Sequence, residues 1–305
     1  MISPDDPHVP RMLRYIDHPL ALLLVFDIVV VVAYVYFEQR WLALPNLPLS
    51  IGGGALGVIL GFRNHVSYAR WWEARTLWGR IVNYSRCVGR QAVAYLSVGD
   101  QHQDRGLIRD TQRRLVYYQI AYVNSLRCQL RGQDPGPELE PFLSKEEIDS
   151  LRGEKNVAAE IQRRMALLIQ DGCDRGWLGA IQLGLLDNGL TELANAQGGC
   201  ERIKNTPTPK HYDSFFRLLV HGYCILLPLG MVASLGLLTP IGSALLGFVF
   251  LGLENIGRDL EHPFDNSVHD VAMTSLCRTI EINLKQYLGE ADLPAPIEPV
   301  RGVLW

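Results

Sequence analysis

A long run of apolar side chains near the amino terminus constrains this chain more than any other feature. Residues 19–37 read PLALLLVFDIVVVVAYVYF, and a helix needs about 20 such residues to cross the hydrocarbon core of a bilayer. Tyr34, Tyr36 and Trp41 lie near one end, where aromatic side chains anchor spans at the membrane interface. The run contains Asp27 and is followed by no small-residue cleavage site. It therefore predicts a span that stays in the membrane rather than a secretory leader.

Further apolar runs extend this prediction to four spans. Residues 47–62 are apolar but short and rich in glycine, which favours a helix buried among other helices or lining a pore. Residues 215–238 and 241–256 are strongly apolar and are separated only by a tight turn. At this turn Thr239 is expected to cap the next helix and Pro240 to occupy its first position. These two runs predict a hairpin of membrane helices.

The chain between the second and third spans is soluble in character. Its apolar residues recur at helical spacing, and Ser144-Lys145-Glu146-Glu147 has the pattern of a capping box at the start of a helix. The proline-rich tail after Glu290 is expected to be extended and to lie on another surface. Outside the membrane we predict helices over residues 72–98, 107–130, 144–173, 178–196 and 266–290.

The predicted fold class is thus an all-α membrane protein with four transmembrane helices plus a cytosolic helical domain. Residues 1–68 would hold the first two spans, 69–210 the cytosolic domain, 211–260 the last two spans, and 261–305 a cytosolic helix and tail. An even number of spans places both termini and the central domain on one side of the membrane. The six cysteines form no CxxC pair, which favours reduced thiols and hence the cytosol for that side of a cell (inner) membrane.

Composition and motifs exclude several classes of function. The net charge of −3 argues against nucleic acid as a partner, because phosphate binding needs a basic face. The HExxH, GxSxG and GxxxxGK[ST] patterns are missing, which argues against a membrane enzyme with these chemistries, and no cofactor is expected. The spacing of His262, Asp265, His269 and Asp270 matches no strong metal-ligand motif, so solvated helix-start residues are favoured over a metal site.

Motifs in a fixed order resemble the bestrophin family in its bacterial branch. They are GFRNHVSYARWW at 61–72, GCERIKNTP at 199–207 and HPF at 262–264. The resemblance implies a homopentamer with an axial pore, a narrow hydrophobic neck formed by the second span, and a wider cytosolic vestibule with a second constriction near its exit. In the animal members a glycine and a dense run of acids follow the Pro-Phe pair. Residues 265–270 of this chain lack both. Calcium gating is therefore not carried over.

The second span carries adjacent stripes of residues that each repeat every four positions. One stripe contains only glycine, and such a face lets helices approach closely in a membrane. The other aligns with the neck residues of the family, so pore lining is favoured over ordinary core packing. Because one of its members is a glycine, the upper neck is expected to be wider than in relatives. The packing stripe is Gly53, Gly57 and Gly61, and the neck stripe is Gly54, Val58 and Phe62.

Other candidate residues keep alternative interpretations. Arg63 either attracts anions or pairs with an acid of a neighbouring subunit. His65 either titrates near neutral pH or, the favoured interpretation, is a satisfied buried histidine. Asp27 is a functional acid or, as favoured, a polar contact to a neighbouring helix. The resemblance places the exit constriction on the helix that contains Gln182, Leu183, Leu185 and Leu186, although each of these could equally be plain core.

The predicted function is a pentameric channel for small monovalent ions, with chloride and other anions expected because most of the family prefers them. At least one bacterial branch is associated with cations, so a sodium-selective channel of the same architecture is an alternative, and a non-conducting membrane scaffold is another. The expected partners are further copies of the chain, the lipid bilayer and the permeating ions.

Overall fold

The computed structural model describes the backbone of residues 8–44, 47–97, 105–208 and 210–305, with side chains from His18 onward except at 210–212. The described part is helical, which confirms the all-α prediction. Its β pairing is limited to an isolated bridge between Val300 and Val303. The helices are α1 (His8–Val35), α2 (Leu49–Tyr95), α3 (Arg105–Arg131), α4 (Gly136–Leu139), α5 (Lys145–Leu151), α6 (Val157–Asp174), α7 (Ala180–Asn205), α8 (Lys210–Leu235), α9 (Thr239–Leu260) and α10 (Met273–Tyr287).

The chain divides into two compact units. The membrane unit comprises the described residues of Pro4–Trp71 and Pro207–His262, and the polar unit comprises those of Trp72–Thr206 and Pro263–Trp305. Helix α2 is continuous through the boundary, so its residues up to Trp71 belong to the membrane unit and those from Trp72 to the polar unit.

In the membrane unit, α1 packs against α8 and α9, and α8 packs against α9. Its core combines Leu60 of α2 with Val220 of α8 and Leu251 of α9. His18–Val35 and Asp213–Leu260 are long and apolar enough to cross a membrane, and the second stretch contains both α8 and α9. Only 22% and 28% of the residues in these stretches are buried. Such exposure is typical of helices that face lipid rather than of core helices in a soluble protein.

In the polar unit, α3 packs against α6, α7 and α10 around a core that includes Trp78, Tyr122 and Phe264. The carboxyl-terminal tail lies along α10, as expected, because the backbone N–H of Ser275 donates to the carbonyl of Trp305 at 2.7 Å. The predicted capping box is present, with the Ser144 hydroxyl accepting from the Glu147 backbone and the Glu147 carboxylate accepting from the Ser144 backbone.

Some predicted boundaries are wrong, and local hydrogen bonds explain them. The helix predicted over 144–173 is interrupted because Asn156 caps a new helix by accepting from the backbone N–H of Ala159 at 3.0 Å. The last helix begins at Met273 rather than Asn266, since the Asp270 carboxylate accepts from the backbone and hydroxyl of Ser267 and holds a turn there. Thr239 is not the cap, because its hydroxyl donates to the carbonyl of Gly236.

Candidate functional site

The glycine-rich part of α2 has one face directed into its own unit and one directed away from it. Leu60 is fully buried, whereas Val58 and Phe62 are 60% and 70% exposed. The buried positions recur at intervals of three and four, and so do the exposed ones, as expected for one helix with two faces. The buried face is Leu56, Leu60, Arg63 and Ser67, and the exposed apolar positions include Ile51, Val58, Phe62 and Val66.

Contacts with α8 hold the start of this segment. A side chain at Gly53 would collide with the hydroxyl group of Tyr223, so the glycine allows the tyrosine ring to lie directly on α2. The hydroxyl of Tyr223 donates to the carbonyl of Leu49 at 3.0 Å. The ring also meets Phe250 edge-on, with ring centres 5.1 Å apart. Gly53 thus has a helix partner within its own chain, which the sequence analysis did not foresee.

The other glycines of this segment lie in open surroundings. A Cβ atom added at Gly54, Gly57 or Gly61 would meet no atom within 4 Å. The chain itself therefore leaves the space beside these glycines open, and a methyl group at Gly54 would fit within the chain. The roles assigned to the two stripes stay predictions.

Contacts with α9 hold the end of the segment. The amide of Asn64 donates to the carbonyl of Leu253 at 3.0 Å, and Gly257 leaves the space that the Asn64 side chain fills. Further along, the Arg70 guanidinium donates to the carbonyl of Glu261 at 2.9 Å. Because these ties all lie on the buried side of α2, they keep Phe62 on the exposed side.

Arg63 is directed inward, and both interpretations given to it are wrong. Its side chain is 1% exposed, so it presents no charge to a lumen. It pairs with acids of its own chain rather than of a neighbour: Asp213 at 2.5 Å, Glu254 at 3.6 Å and Glu261 at 3.7 Å. The ring of Phe216 lies below the guanidinium, 5.1 Å from Cζ to the ring centre. Arg63 follows Phe62 by one residue, and the helical turn of about 100° per residue directs the two side chains to different faces.

Two further titratable residues of the membrane unit differ in burial: one lies at the surface and the other in the interior. His65 is exposed within the single chain, so no residue of its own chain buries it, and both interpretations of this histidine stay predictions. Asp27 is fully buried and accepts a hydrogen bond from the Ser243 hydroxyl on α9 at 3.0 Å. This contact confirms the favoured interpretation of Asp27 as a polar contact between neighbouring helices.

At the start of α7, the residues predicted for the exit constriction differ in burial, and their role at an exit stays a prediction. Leu186 is fully buried and Leu183 packs against the core of the polar unit, whereas Leu185 is partly exposed. Gln182 is turned back, because its carbonyl accepts from the backbone N–H of Gly179 at 2.7 Å. Ile181, which was not among the predicted residues, is 82% exposed. Its four-residue spacing from Leu185 was the signal that could have found it.

The acidic residues after α9 have partners within the chain. Asp265 pairs with Lys204 at 2.7 Å, and Asp270 is occupied by Ser267. Burial raises the pKa of the Asp270 carboxyl, and the hydrogen bonds from Ser267 oppose that rise. Among the residues with described side chains, no group of three or more His, Cys, Asp and Glu is placed to hold a metal ion.

Comparisons with known proteins agree with this architecture over nearly the whole chain. The family model for bacterial and fungal bestrophin proteins matches residues 10–286. The voltage-dependent anion channel-forming protein YneE of Escherichia coli K12 is 32% identical over 290 residues, which cover 95% of this chain and 92% of that protein. A voltage-dependent anion channel-forming protein of Mesorhizobium japonicum is 33% identical over 285 residues, covering 91% of this chain and 89% of that protein.

Solved structures show a similarity to the same family. The crystal structure of a bacterial bestrophin homolog from Klebsiella pneumoniae matches with a TM-score of 0.81 at 33% identity, covering 90% of this chain and 98% of that one. The resemblance drawn from the three motifs is confirmed, and with it the expectation of a membrane channel rather than an enzyme. The chain belongs to the bacterial and fungal bestrophin family.

Proposed function

We propose that this protein is the subunit of an anion channel whose pore is lined by the exposed stripe of α2. The observation that carries the proposal is the orientation of this helix. Its buried face is tied to α8 and α9, while the apolar side chains of Val58 and Phe62 are left more than half exposed. The relatives named as voltage-dependent anion channel-forming proteins support the same function.

A ring of such side chains around an axis forms an apolar constriction, and a constriction of this kind gates conduction by losing its water. Phe62 adds a specific preference, because an aromatic ring has a positive edge and a negative face. Edges directed toward the axis favour a partly dehydrated anion. The neck segment from residue 51 to 62 carries no charged side chain, and Arg63 is buried away from it. The preference for anions over cations therefore depends on the weaker electrostatic effect of the Phe62 ring edges.

Assembly into a homopentamer in the cell (inner) membrane completes the proposal. The open space beside Gly57 and Gly61 gives a second copy room to approach α2. In a ring, α1, α8 and α9 face lipid and the first part of α2 is shielded from it. Such shielding explains why α2 crosses the membrane despite its low hydropathy. Both termini and the polar unit lie in the cytosol, and no calcium, cofactor or nucleic acid takes part.

The exit constriction is assigned to the exposed side of α7. Ile181 and, one turn later, Leu185 are the exposed apolar residues at the start of this helix. A ring of isoleucine side chains narrows the vestibule without adding charge. We assign no such role to Leu186, which is buried, or to Gln182, whose side-chain carbonyl accepts from the backbone of Gly179.

The proposed neck is tested by single-channel recording of purified protein in planar bilayers. Phe62→Ala and Val58→Ala each widen the neck and make it easier to wet, so unitary conductance or open probability should rise. Phe215→Ala is a matched control, because Phe215 is also more than half exposed but lies on α8. Its currents should equal those of the unsubstituted protein. Unchanged currents in both neck variants, with the oligomer intact, would contradict the assignment of α2 to the pore.

A further inference from the structure

The ion pairs of Arg63 join α2 to two other parts of the membrane unit, the start of α8 and the end of α9. Asp213 lies at the start of α8, Glu254 lies on α9, and Glu261 directly follows α9. The guanidinium of Arg63 approaches all of them, and Nη2 lies 2.5 Å from Oδ1 of Asp213. A buried charge of this kind is retained only where it has such partners, because an unpaired ion in an apolar medium is strongly unfavourable.

We propose that Arg63 is a positioning residue that fixes the rotation of α2 about its own axis and thereby the direction of Phe62. The inference rests on the proposed function, since it concerns the side chain that narrows the neck. It assigns to Arg63 a geometric role and no direct contact with the permeating ion.

Helix geometry explains why the rotation is fixed. A rotation of α2 by one residue moves each side chain by about 100° around the axis, which withdraws the guanidinium from all three carboxylates. No cation replaces it, because Gly61, Phe62 and Asn64 are uncharged. The buried carboxylates of Glu254 and Glu261 would then lose their partner. The same rotation would carry Phe62 out of the exposed stripe.

A second tie on the same face strengthens the arrangement. Arg70 follows Arg63 by seven residues, or about two helical turns, and therefore projects from the same side. Its guanidinium donates to the carbonyl of Glu261, so the residue that follows α9 contacts α2 at two successive levels. The ring of Phe216 closes the cluster below Arg63.

Arg63 acts on the pore only through the direction of Phe62. Because Arg63 is buried, its removal takes no charge from the pore lining, and any change in the reversal potential should accompany a change in how Phe62 meets the pore. Arg217 offers a matched control, since it pairs with the same Asp213 at 3.1 Å but is half exposed and lies on α8 itself. Removing Arg217 takes one positive charge from Asp213 and leaves the ion pairs between α2 and the other helices in place.

The test measures the direction of α2 by thiol labelling of the purified oligomer. Cysteine is placed at Phe62 or at Leu60, and the rate of reaction with a membrane-impermeant methanethiosulfonate is compared between the two positions, with the unsubstituted protein as baseline for the native thiols. The ratio of rates at 62 and 60 is expected to be high with Arg63 present. Arg63→Gln should lower it about tenfold or more, which is the population difference that hydrogen bonds to a charged group sustain.

Arg63→Lys keeps the charge but loses the planar fork, so it should give an intermediate ratio, and Arg217→Gln should leave the ratio unchanged. A ratio that stays the same in both Arg63 variants overturns the inference. If the glutamine variant yields no oligomer, an unchanged ratio in the lysine variant is sufficient to overturn it. The labelling needs no current, so a protein that fails to conduct rejects the proposed function separately.

Discussion

Gly53→Ala adds one methyl group at the point where α2 lies against Tyr223, and we expect it to destabilise the membrane unit. The new Cβ atom would overlap the tyrosine hydroxyl and lie 3.2 Å from Cζ of the same ring. The ring can withdraw only by giving up its hydrogen bond to the Leu49 carbonyl and its edge contact with Phe250. The contact that favours close helix packing here is thus the one that the substitution disrupts.

The loss of stability is set by two alternatives: the overlap stays, or the tyrosine ring moves and loses its hydrogen bond. Overpacking a tight contact costs about 1–3 kcal/mol, whereas the lost hydrogen bond costs about 0.5–1.5 kcal/mol. Moving the ring relieves the overlap, so the two costs do not add, and we expect a loss of about 1–2 kcal/mol in the free energy of unfolding. Thermal melting of the helical signal in detergent should show a shift on the order of 2–4 °C per kcal/mol.

Two further variants separate this effect from assembly. Gly57→Ala has open space within the chain, so a steric effect can come only from a neighbouring copy and should appear as a loss of oligomer mass. Tyr223→Phe removes the hydroxyl that Gly53→Ala meets, and the double variant should therefore be more stable than the sum of the single losses by about 1 kcal/mol. Additive losses in this cycle, or a Gly53→Ala protein with an unchanged melting temperature, would refute the packing argument.

Other predictions concern the neck, the exit and the polar unit. The Cβ atom that Gly54→Val adds meets no atom of the chain within 4 Å, and the side chain adds an apolar ring one turn from Val58, so unitary conductance should fall while the melting temperature is kept. Ile181→Ala should change unitary current without loss of stability, whereas Leu186→Ala should cost about 2–5 kcal/mol because Leu186 is fully buried. Hydrogen bonds from two arginines lower the pKa of Glu160 from 4.5 to about 2. The ionised carboxylate therefore adds to the free energy of unfolding above pH 4.5, and this stabilisation is lost as the pH falls toward 2. Acid titration of the helical signal should accordingly be shallower in Glu160→Gln than in the unsubstituted protein. Identical titration curves would show that Glu160 does not stabilise the fold in this way.

Features with a local cause could be predicted from the sequence. The capping box at Ser144 and the span that contains Asp27 are each specified within a few residues or by a continuous apolar run. The continuity of α2 could not be seen, because its composition becomes polar at Arg63. Hydropathy reports the environment of a segment rather than its helicity, and the two halves of α2 belong to different units.

Features that depend on distant residues could not be predicted. Asp213 pairs with Arg63 from 150 positions away, and no spacing rule connects such residues. The same limit applies to Gly53, whose partner Tyr223 lies on α8. On α7, where the resemblance predicts the exit constriction, only the burial of Leu186 and the exposure of Ile181 distinguish core from surface.

The reversal potential of the purified channel in a sodium chloride gradient tests the central claim most directly. In a tenfold gradient the chloride and sodium equilibrium potentials lie about 59 mV from zero on opposite sides. An uncharged neck with aromatic edges directed toward the axis predicts a modest anion preference, so the current should reverse on the chloride side of zero. Reversal near the sodium potential would contradict the anion channel and support the cation-selective alternative.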